Sequence, residues 1–486
     1  MTGRSLALAL TLGVALGSGG AAQDVRPATG IAPSPLAATQ LDAADVAVLI
    51  RMLAGAEAQG FGSDAFAVGD ATRHLKALNP LEREKGEAQL KVAAVAYAWA
   101  QHGGRVPVNL FQRDWAIRPA PYDATAEFAA AAARHELPAW AASLPPPNER
   151  YARLVAAYGR YRQIAARGAW PALTSASTLK PGMSGAAVLA LRRRLGIEDA
   201  ATPAAAGLES SVYDAAMTAA VGRAQARYGL EPDGVAGPGT LAALNMPVER
   251  RLAQIRVNLE RWRWAPRALP PLRVALNIPD ASLTLYDAGA PVLTMRTIVG
   301  RAAKPTPMFA DRITAVVLNP PWNVPTEIAA REIWPKIRRD PGYMAREGFV
   351  IRPGGGLQQK PGPLCALGEI KFELSNPFGV YLHDTPARAL FARDDRALSH
   401  GCMRLEKPNI LAKRLLAGDP AWPDSRIDLV LLTGKTTRAV LRRPVPVLVF
   451  YQTAFADGRE QVQFRRDIYH WDEVLQDLLQ KGGYEP

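Results

Sequence analysis

The sequence predicts a multidomain α+β protein, and three observations carry that expectation. At 486 residues the chain is too long for one compact core, which points to about three domains. Apolar residues recur at three- and four-residue steps between Leu41 and Trp264, the spacing of helix faces. From Leu272 onward the period shortens to two, the mark of strands separated by Pro and Gly turns.

The elements follow in order. Met1-Thr2-Gly3-Arg4, an apolar run from Leu6 to Leu16 and small residues through Gly20-Ala21-Ala22 predict a signal peptide over residues 1–22, cut after Ala22. The run falls short of the about 20 apolar residues a bilayer span needs, so an uncleaved anchor is the lesser reading. Residues 23–40, rich in Ala and Pro, are expected to be a flexible lead-in. A helical domain over 41–175 is carried by Val46, Leu49, Leu53, Leu90, Ala94 and Tyr97, with further helices over 126–135 and 151–167. In residues 176–246, Val188, Leu191 and Leu195 space as a helix entered through Gly182 and Gly185. Val221 and Gln225 begin a helix, turn and helix running through Asp233-Gly234-Val235-Ala236-Gly237-Pro238. Residues 247–270 return to the helical period at Leu252, Ile255, Leu259 and Trp262. Strands are then expected over 274–278, 283–286, 294–299, 316–318, 380–382 and 427–432, within a β-rich domain over 271–445. An insertion around 327–356 interrupts it, with helical spacing from Glu327 to Arg339 and a loop at Gly354-Gly355-Gly356. A strand from Val447 and a short helix near Trp471 close the chain over 446–486.

A net charge of +13 points to an acidic partner. Nucleic acid is not expected, because no basic-aromatic cluster or nucleic-acid motif stands out and the leader directs export. Nothing after the leader is apolar for long enough to cross a membrane, so no span is expected once it is cut. Two cysteines in so long an exported chain do not make a disulfide framework. A Cys365–Cys402 bridge stays open and would block the thiol at 402.

The candidate chemistry lies in Ser399-His400-Gly401-Cys402-Met403-Arg404, with His383 upstream in Val380-Tyr381-Leu382-His383-Asp384-Thr385-Pro386. Two imidazoles in the twenty residues before a Cys are what a thiol nucleophile and its base require. Cys402 as a small buried hydrophobe is the plain alternative, and its flanking Gly and His argue against it. A zinc site on Cys365, His383, His400 and Cys402 is the rival chemistry; it lacks any close-spaced ligand pair, and no metal is expected. Gly401 lets the chain turn tightly, which would aim the N–H groups of Gly401 and Cys402 at an oxyanion. Arg404 could bind a carboxylate by a two-pronged contact or pair internally with Glu406.

His383, fifteen further residues and then Ser399-His400-Gly401-Cys402-Met403 resemble the signature of the L,D-transpeptidase catalytic domain. Asn319-Pro320-Pro321-Trp322-Asn323-Val324-Pro325, Pro361-Gly362-Pro363 and Ala366-Leu367-Gly368 extend the resemblance to long members of that family. Those members carry a helical scaffold domain and a small three-helix peptidoglycan-binding domain, and the Asp233–Thr240 turn is similar to the latter's. Two departures stand out: Ala224 where that domain has an aromatic, and Cys365 where the catalytic domain has Asn.

The resemblance implies a mixed β-rich catalytic domain with a cap at the insertion, joined to a discontinuous helical scaffold rejoined by residues 247–270. It implies Cys402 as nucleophile and His383 as base, with His400 and Gly401 shaping the site. Arg404, Ser399, Asp384 and Trp322 are the candidate substrate-binding set. The implied activity is 3→3 cross-linking of peptidoglycan stem peptides through a cysteine thioester, in cell-wall biogenesis and cell shape, without a cofactor. Carbapenems are expected to acylate the same thiol. Peptidoglycan stems and glycan are the expected partners, with other cell-wall synthesis enzymes as further candidates, and the periplasm is the expected location. The alternatives are a hydrolase on the same cysteine, either an L,D-carboxypeptidase or an enzyme detaching wall-bound proteins, and a non-catalytic wall-binding scaffold.

Overall fold

The computed structural model describes residues 35–482 except 64, 112–113, 175–176, 200–209 and 457–460. The expected leader and residues 23–34 lie outside the described residues. Pro35–Ala38 form a helical turn whose Leu36 packs on the first helical core. The lead-in therefore ends earlier than residue 40, because an apolar contact orders its last residues.

Helices Ala43–Ala54, Pro80–Gly103, Ala124–Ala133 and Leu137–Ser143 bury Leu49, Leu53, Leu90, Ala94, Tyr97 and Phe128 in one core. Their starts are set by caps: Asp42 and Asp45 form a reciprocal capping box, and Asn79 caps a helix opened by Pro80. A second core joins helix Glu149–Ala166 to the three helices Ala186–Glu198, Ala215–Arg227 and Pro238–Leu244. Gln225 closes the turn between the last two, donating to Asp233 and accepting the Gly234 N–H. Ala224, where an aromatic was expected, is buried in this core.

Helix Val248–Trp264 ties the halves together. Its Glu260 accepts the Val106 N–H and pairs with Arg263, while Trp264 and Val257 enter the core of the sheet. No helix among the described residues is long and apolar enough to cross a membrane.

The main sheet contains β1 (Arg273–Asn277), β2 (Ser282–Asp287), β3 (Ala290–Gly300) and β4 (Ala310–Leu318). The insertion adds β5 (Trp322–Asn323), β6 (Phe349–Ile351) and β7 (Leu357–Gln359) as a separate three-stranded sheet. The main sheet continues with β8 (Ile370–Glu373), β9 (Leu382–His383), β10 (Ala397–Ser399), β11 (Met403–Leu405) and β12 (Thr437–Phe450). Its order is β10-β3-β11-β9-β8-β4-β12-β1-β2, and a further β2–β3 pairing closes the sheet on itself. Closure leaves an inner face filled by Leu276, Leu283, Val316, Phe372 and Met403.

Two expectations are corrected. Residues 427–432, expected as a strand, lie in helix Asp424–Thr433. A short apolar run fits either element, and the deciding signals are Pro423-Asp424 before it and Gly434, at φ 65°, after it. The boundary at 445/446 falls inside β12, which runs through Arg442-Arg443-Pro444 on a bulge instead of ending there. A hairpin of β13 (Ala454–Ala456) and β14 (Val462–Phe464) and helix Trp471–Lys481 complete the fold.

Candidate active site

The loop that carries Cys402 connects β10 to β11, and both strands dock on β3, so residues 400–402 turn back at the end of a rigid strand. β11 runs parallel to β9 with Arg404 opposite His383, and β8 places Lys371 opposite His383 from the other side. Because side chains alternate along a strand, Cys402 and Arg404 share a face with Tyr381, His383 and Lys371. That face is the floor of a cleft of about 600 Å³, whose roof is the insertion, through Trp322, Ile328, Glu332 and Ile333.

Gly401 sits at φ 111°, a conformation side chains disfavour. Its carbonyl accepts from Thr306 Oγ1 at 2.8 Å, and that hydroxyl accepts the Gly300 N–H. Tyr469, from the segment before the last helix, accepts the Thr306 N–H and donates to the Gly300 carbonyl at 2.6 Å. The C-terminal segment thus braces the loop that carries the thiol.

Ser399, expected to touch substrate, is buried. Its hydroxyl donates to the Cys402 carbonyl at 2.6 Å and accepts the Gly401 N–H at 3.1 Å. Both capacities are spent inside the loop, so Ser399 is a positioning residue, and the Gly401 N–H is not free for an oxyanion. That role narrows to the Cys402 N–H.

His383 is 5% exposed, and its Nδ1 lies 2.5 Å from the Asp384 backbone carbonyl. A carbonyl only accepts, so Nδ1 carries the proton and Nε2 keeps the lone pair of a base. Burial, and then the charge of Arg404, push this imidazole down to about 3. Asp384 contributes that carbonyl, while its carboxylate accepts the Glu369 N–H and pairs with Arg388. The carboxylate is therefore structural, a correction to its expected contact with substrate.

Burial pushes the Cys402 thiol above its ordinary value, against the pull of the Tyr381 amide, the Lys371 and Arg404 charges and the Tyr381 hydroxyl. Burial thus drives the thiol and the imidazole each toward its neutral form. Tyr381, which sequence reasoning misses, places its hydroxyl between the Cys402 sulfur and the Trp322 indole. Its position two residues before His383 is the available signal, since alternation puts both on one face. Lys371 stacks on the Tyr381 ring, with its nitrogen 4.2 Å from the centroid.

Arg404 lines the cleft, with its Nε buried and without a hydrogen-bond partner. Glu406, the alternative internal partner for it, pairs instead with Arg296 at 2.6 Å. His400 Nε2 meets Glu332 of the roof at 2.6 Å, so this imidazole faces the cap and not the base position. Cys365 is buried and free, 3.4 Å from the Pro320 carbonyl, and Cys402 is free as well. No bridge forms between them. The four residues of the rival zinc site do not converge: among the described residues only Asp42, Asp45 and His135 bring three ligand-type groups within 4.8 Å.

Three family models match the chain in succession: the scaffold domain at 38–157, a candidate peptidoglycan binding domain at 184–244 and the L,D-transpeptidase catalytic domain at 271–422. The chain therefore carries matches to a scaffold domain, a peptidoglycan binding domain and an L,D-transpeptidase catalytic domain. A curated candidate L,D-transpeptidase of Haemophilus influenzae is 34% identical over 233 residues, 43% of this chain and 47% of its own. The chain thus matches about half the length of that relative. Among solved structures, an L,D-transpeptidase from Mycobacterium smegmatis is 16% identical, over 37% of this chain and 58% of its own, with a TM-score of 0.21. One from Xylanimonas cellulosilytica is 16% identical, over 57% and 98%, with a TM-score of 0.20. At such TM-scores these likenesses carry no argument.

Proposed function

We propose that this protein is a peptidoglycan L,D-transpeptidase that joins stem peptides by 3→3 cross-links through a thioester on Cys402. The observation that carries the reading is the β9–β11 register, which sets Tyr381, His383, Cys402 and Arg404 on one face of a roofed cleft. His383 Nε2 takes the thiol proton as sulfur adds to the carbonyl after the diaminopimelyl residue of a tetrapeptide stem. The Tyr381 hydroxyl donates to the sulfur, and the Cys402 N–H faces the oxyanion. Collapse expels terminal D-alanine, whose amine takes the proton back from His383; an imidazole held near 3 releases it readily. An amine of a second stem then attacks the thioester, forming the amide and returning thiol to Cys402. Arg404, with its unpartnered Nε, is the candidate partner of a stem carboxylate. In this reading the helical module at 186–244 docks on the wall and the enzyme acts in the periplasm.

Intact mass of the mature protein and of Cys402→Ala, after incubation with a disaccharide-tetrapeptide or a carbapenem, tests this. A drug adduct on the wild type alone, together with a dimer lacking one D-alanine, supports it. Tripeptide without dimer makes the protein a hydrolase. No adduct under reducing conditions makes it a wall-binding scaffold.

A further inference from the structure

The mechanism above uses one imidazole, yet a second lines the same cleft beside the nucleophile. His400 comes from the loop of Cys402, and its Nε2 bonds Glu332 on the π-helical turn Ala329–Ile333 of the roof. Thiol chemistry on the floor is already served by His383, Tyr381 and the Cys402 N–H. The His400–Glu332 pair sits apart from that set, where the loop of the thiol meets the roof.

Charge separates the two sides further. Four basic side chains line the cleft, Arg301, Lys304, Arg331 and Arg404, against two carboxylates, Glu327 and Glu332. An anionic donor stem is drawn in, but a cationic amine is repelled unless a carboxylate anchors it. Glu327 is held by Lys304 at 2.8 Å from both oxygens and by Arg331 at 3.2 Å. Glu332 has His400 at 2.6 Å and Arg301 only at 4.0 Å. Of the two, Glu332 has the weaker competition from fixed cations.

We infer that the His400–Glu332 pair is the acceptor site, with Glu332 binding the ammonium of the incoming amine and His400 removing its proton. The inference rests on the transpeptidase reading and deepens it by assigning the second half-reaction its own base. A carboxylate only accepts, so in neutral His400 Nε2–H donates to Glu332 and Nδ1 is the free acceptor. The ammonium, held at Glu332 on the Nε2 side of the ring, passes one proton to Nδ1 through solvent water, giving an imidazolium paired with the Glu332 carboxylate and a neutral amine. That amine attacks the thioester carbonyl, the carbon–sulfur bond breaks, and the sulfur leaves as thiolate. The second amine proton goes to that thiolate through His383, and His400 returns its proton to solvent. No oxidant or metal enters the balance. Water needs no ammonium anchor, so the pair also sets the ratio of transfer to hydrolysis.

The test uses the full mature chain as wild type, Glu332→Gln, Glu332→Asp and His400→Gln. Each is acylated with tetrapeptide donor, then chased with a tripeptide stem bearing a free side-chain amine, and dimer and tripeptide are quantified. Hydroxylamine, uncharged at neutral pH, is chased in parallel as an acceptor that needs neither an ammonium anchor nor loss of a proton before it attacks. Glu332→Gln is expected to lower dimer formation about tenfold through a higher KM for the amine, and His400→Gln about a hundredfold through the maximal rate. Glu332→Asp restores part of the loss. Discharge by hydroxylamine is expected to stay within about twofold of the wild type. Equal losses with amine and hydroxylamine, or no loss with either, overturn the inference. A wild type that never acylates at Cys402 overturns the transpeptidase reading itself, and acylation by a carbapenem reports that each variant is folded.

Discussion

On the floor of the cleft, Cys402, Tyr381 and His383 sit on neighbouring strands of a closed sheet, and burial pushes the thiol and the phenol up and the imidazole down. On the roof, Glu327, Arg331 and Glu332 sit on short helical turns, and they meet the rest of the molecule through half-exposed ion pairs. Register fixes the floor tightly, because a one-residue slip would send every side chain to the other face. The roof has its own small apolar core, Val324, Ala329, Ile333, Phe349 and Leu357, separate from the core of the sheet. On the proposed reading, precision is needed where the bond to carbon forms, and compliance where a bulky polymer enters.

The largest expected effect breaks the floor at its turn. Gly401→Ala places a Cβ at φ 111°, a backbone conformation that side chains rarely adopt, so the loop must shift although the nearest atom, the Pro305 carbonyl, lies at an ordinary 3.4 Å. Carbapenem acylation is expected to fall about a hundredfold, the usual result of misplacing a nucleophile by about an ångström. An acylation rate within a few-fold of the wild type would show that the loop is not held as tightly as the sheet beneath it.

Next is the brace behind that turn. Thr306→Val orphans the buried Gly401 carbonyl and Gly300 N–H, each worth about 1–3 kcal/mol when left unsatisfied. A lower denaturant midpoint with slower acylation is the expected result. Lost stability with unchanged acylation would separate the brace from the chemistry.

The same contrast explains what is legible in the sequence. His383, His400, Gly401 and Cys402 lie within twenty residues, and strand alternation is a local rule, so the floor's main members can be named from the residue order alone. Tyr381 falls under the same rule and is missed because a tyrosine beside a β run reads as core. The uses of Ser399 and Asp384 are not legible: whether a polar side chain faces substrate or its own loop depends on where the backbone turns. Glu332 is less legible still, standing 68 residues from His400. Its partner is chosen by how the insertion folds over the sheet, which no local pattern encodes. The strand expected at 427–432 fails for a related reason. A short, largely apolar run states no period of its own, and only its flanks, Pro423 and Gly434, choose the helix.

A pH series sharpens the floor's side of the comparison. Burial pushes the thiol up and holds the His383 imidazole down at about 3, so raising pH from about 5 to about 8 creates little thiolate. Alkylation of Cys402 by iodoacetamide is expected to keep rising beyond the ordinary thiol pKa of about 8.5, with no plateau below it. A plateau between about pH 5 and 8 would mean a preformed thiolate–imidazolium pair, and the floor would then be ruled by charge, as the roof is.

The smallest effect belongs to the roof. Glu327→Gln removes a double contact to Lys304 whose side chains are 39% and 49% exposed, along with the pairing to Arg331. Exposed pairs contribute little net stability and are screened, so the melting temperature should move by no more than about a degree. At about 1 M salt, where the screening length is about 3 Å, variant and wild type should coincide. Truncating Phe349 in the roof's apolar core should do what the charge change does not, and speed hydrogen exchange across residues 322–359, since a buried aromatic lost to alanine costs about 3–5 kcal/mol. If Glu327→Gln speeds that exchange as much as Phe349→Ala does, the ion pairs hold the roof down. If only Phe349→Ala does so, the roof is a self-supporting unit, and its ion pairs are contacts that substrate can exchange at little cost.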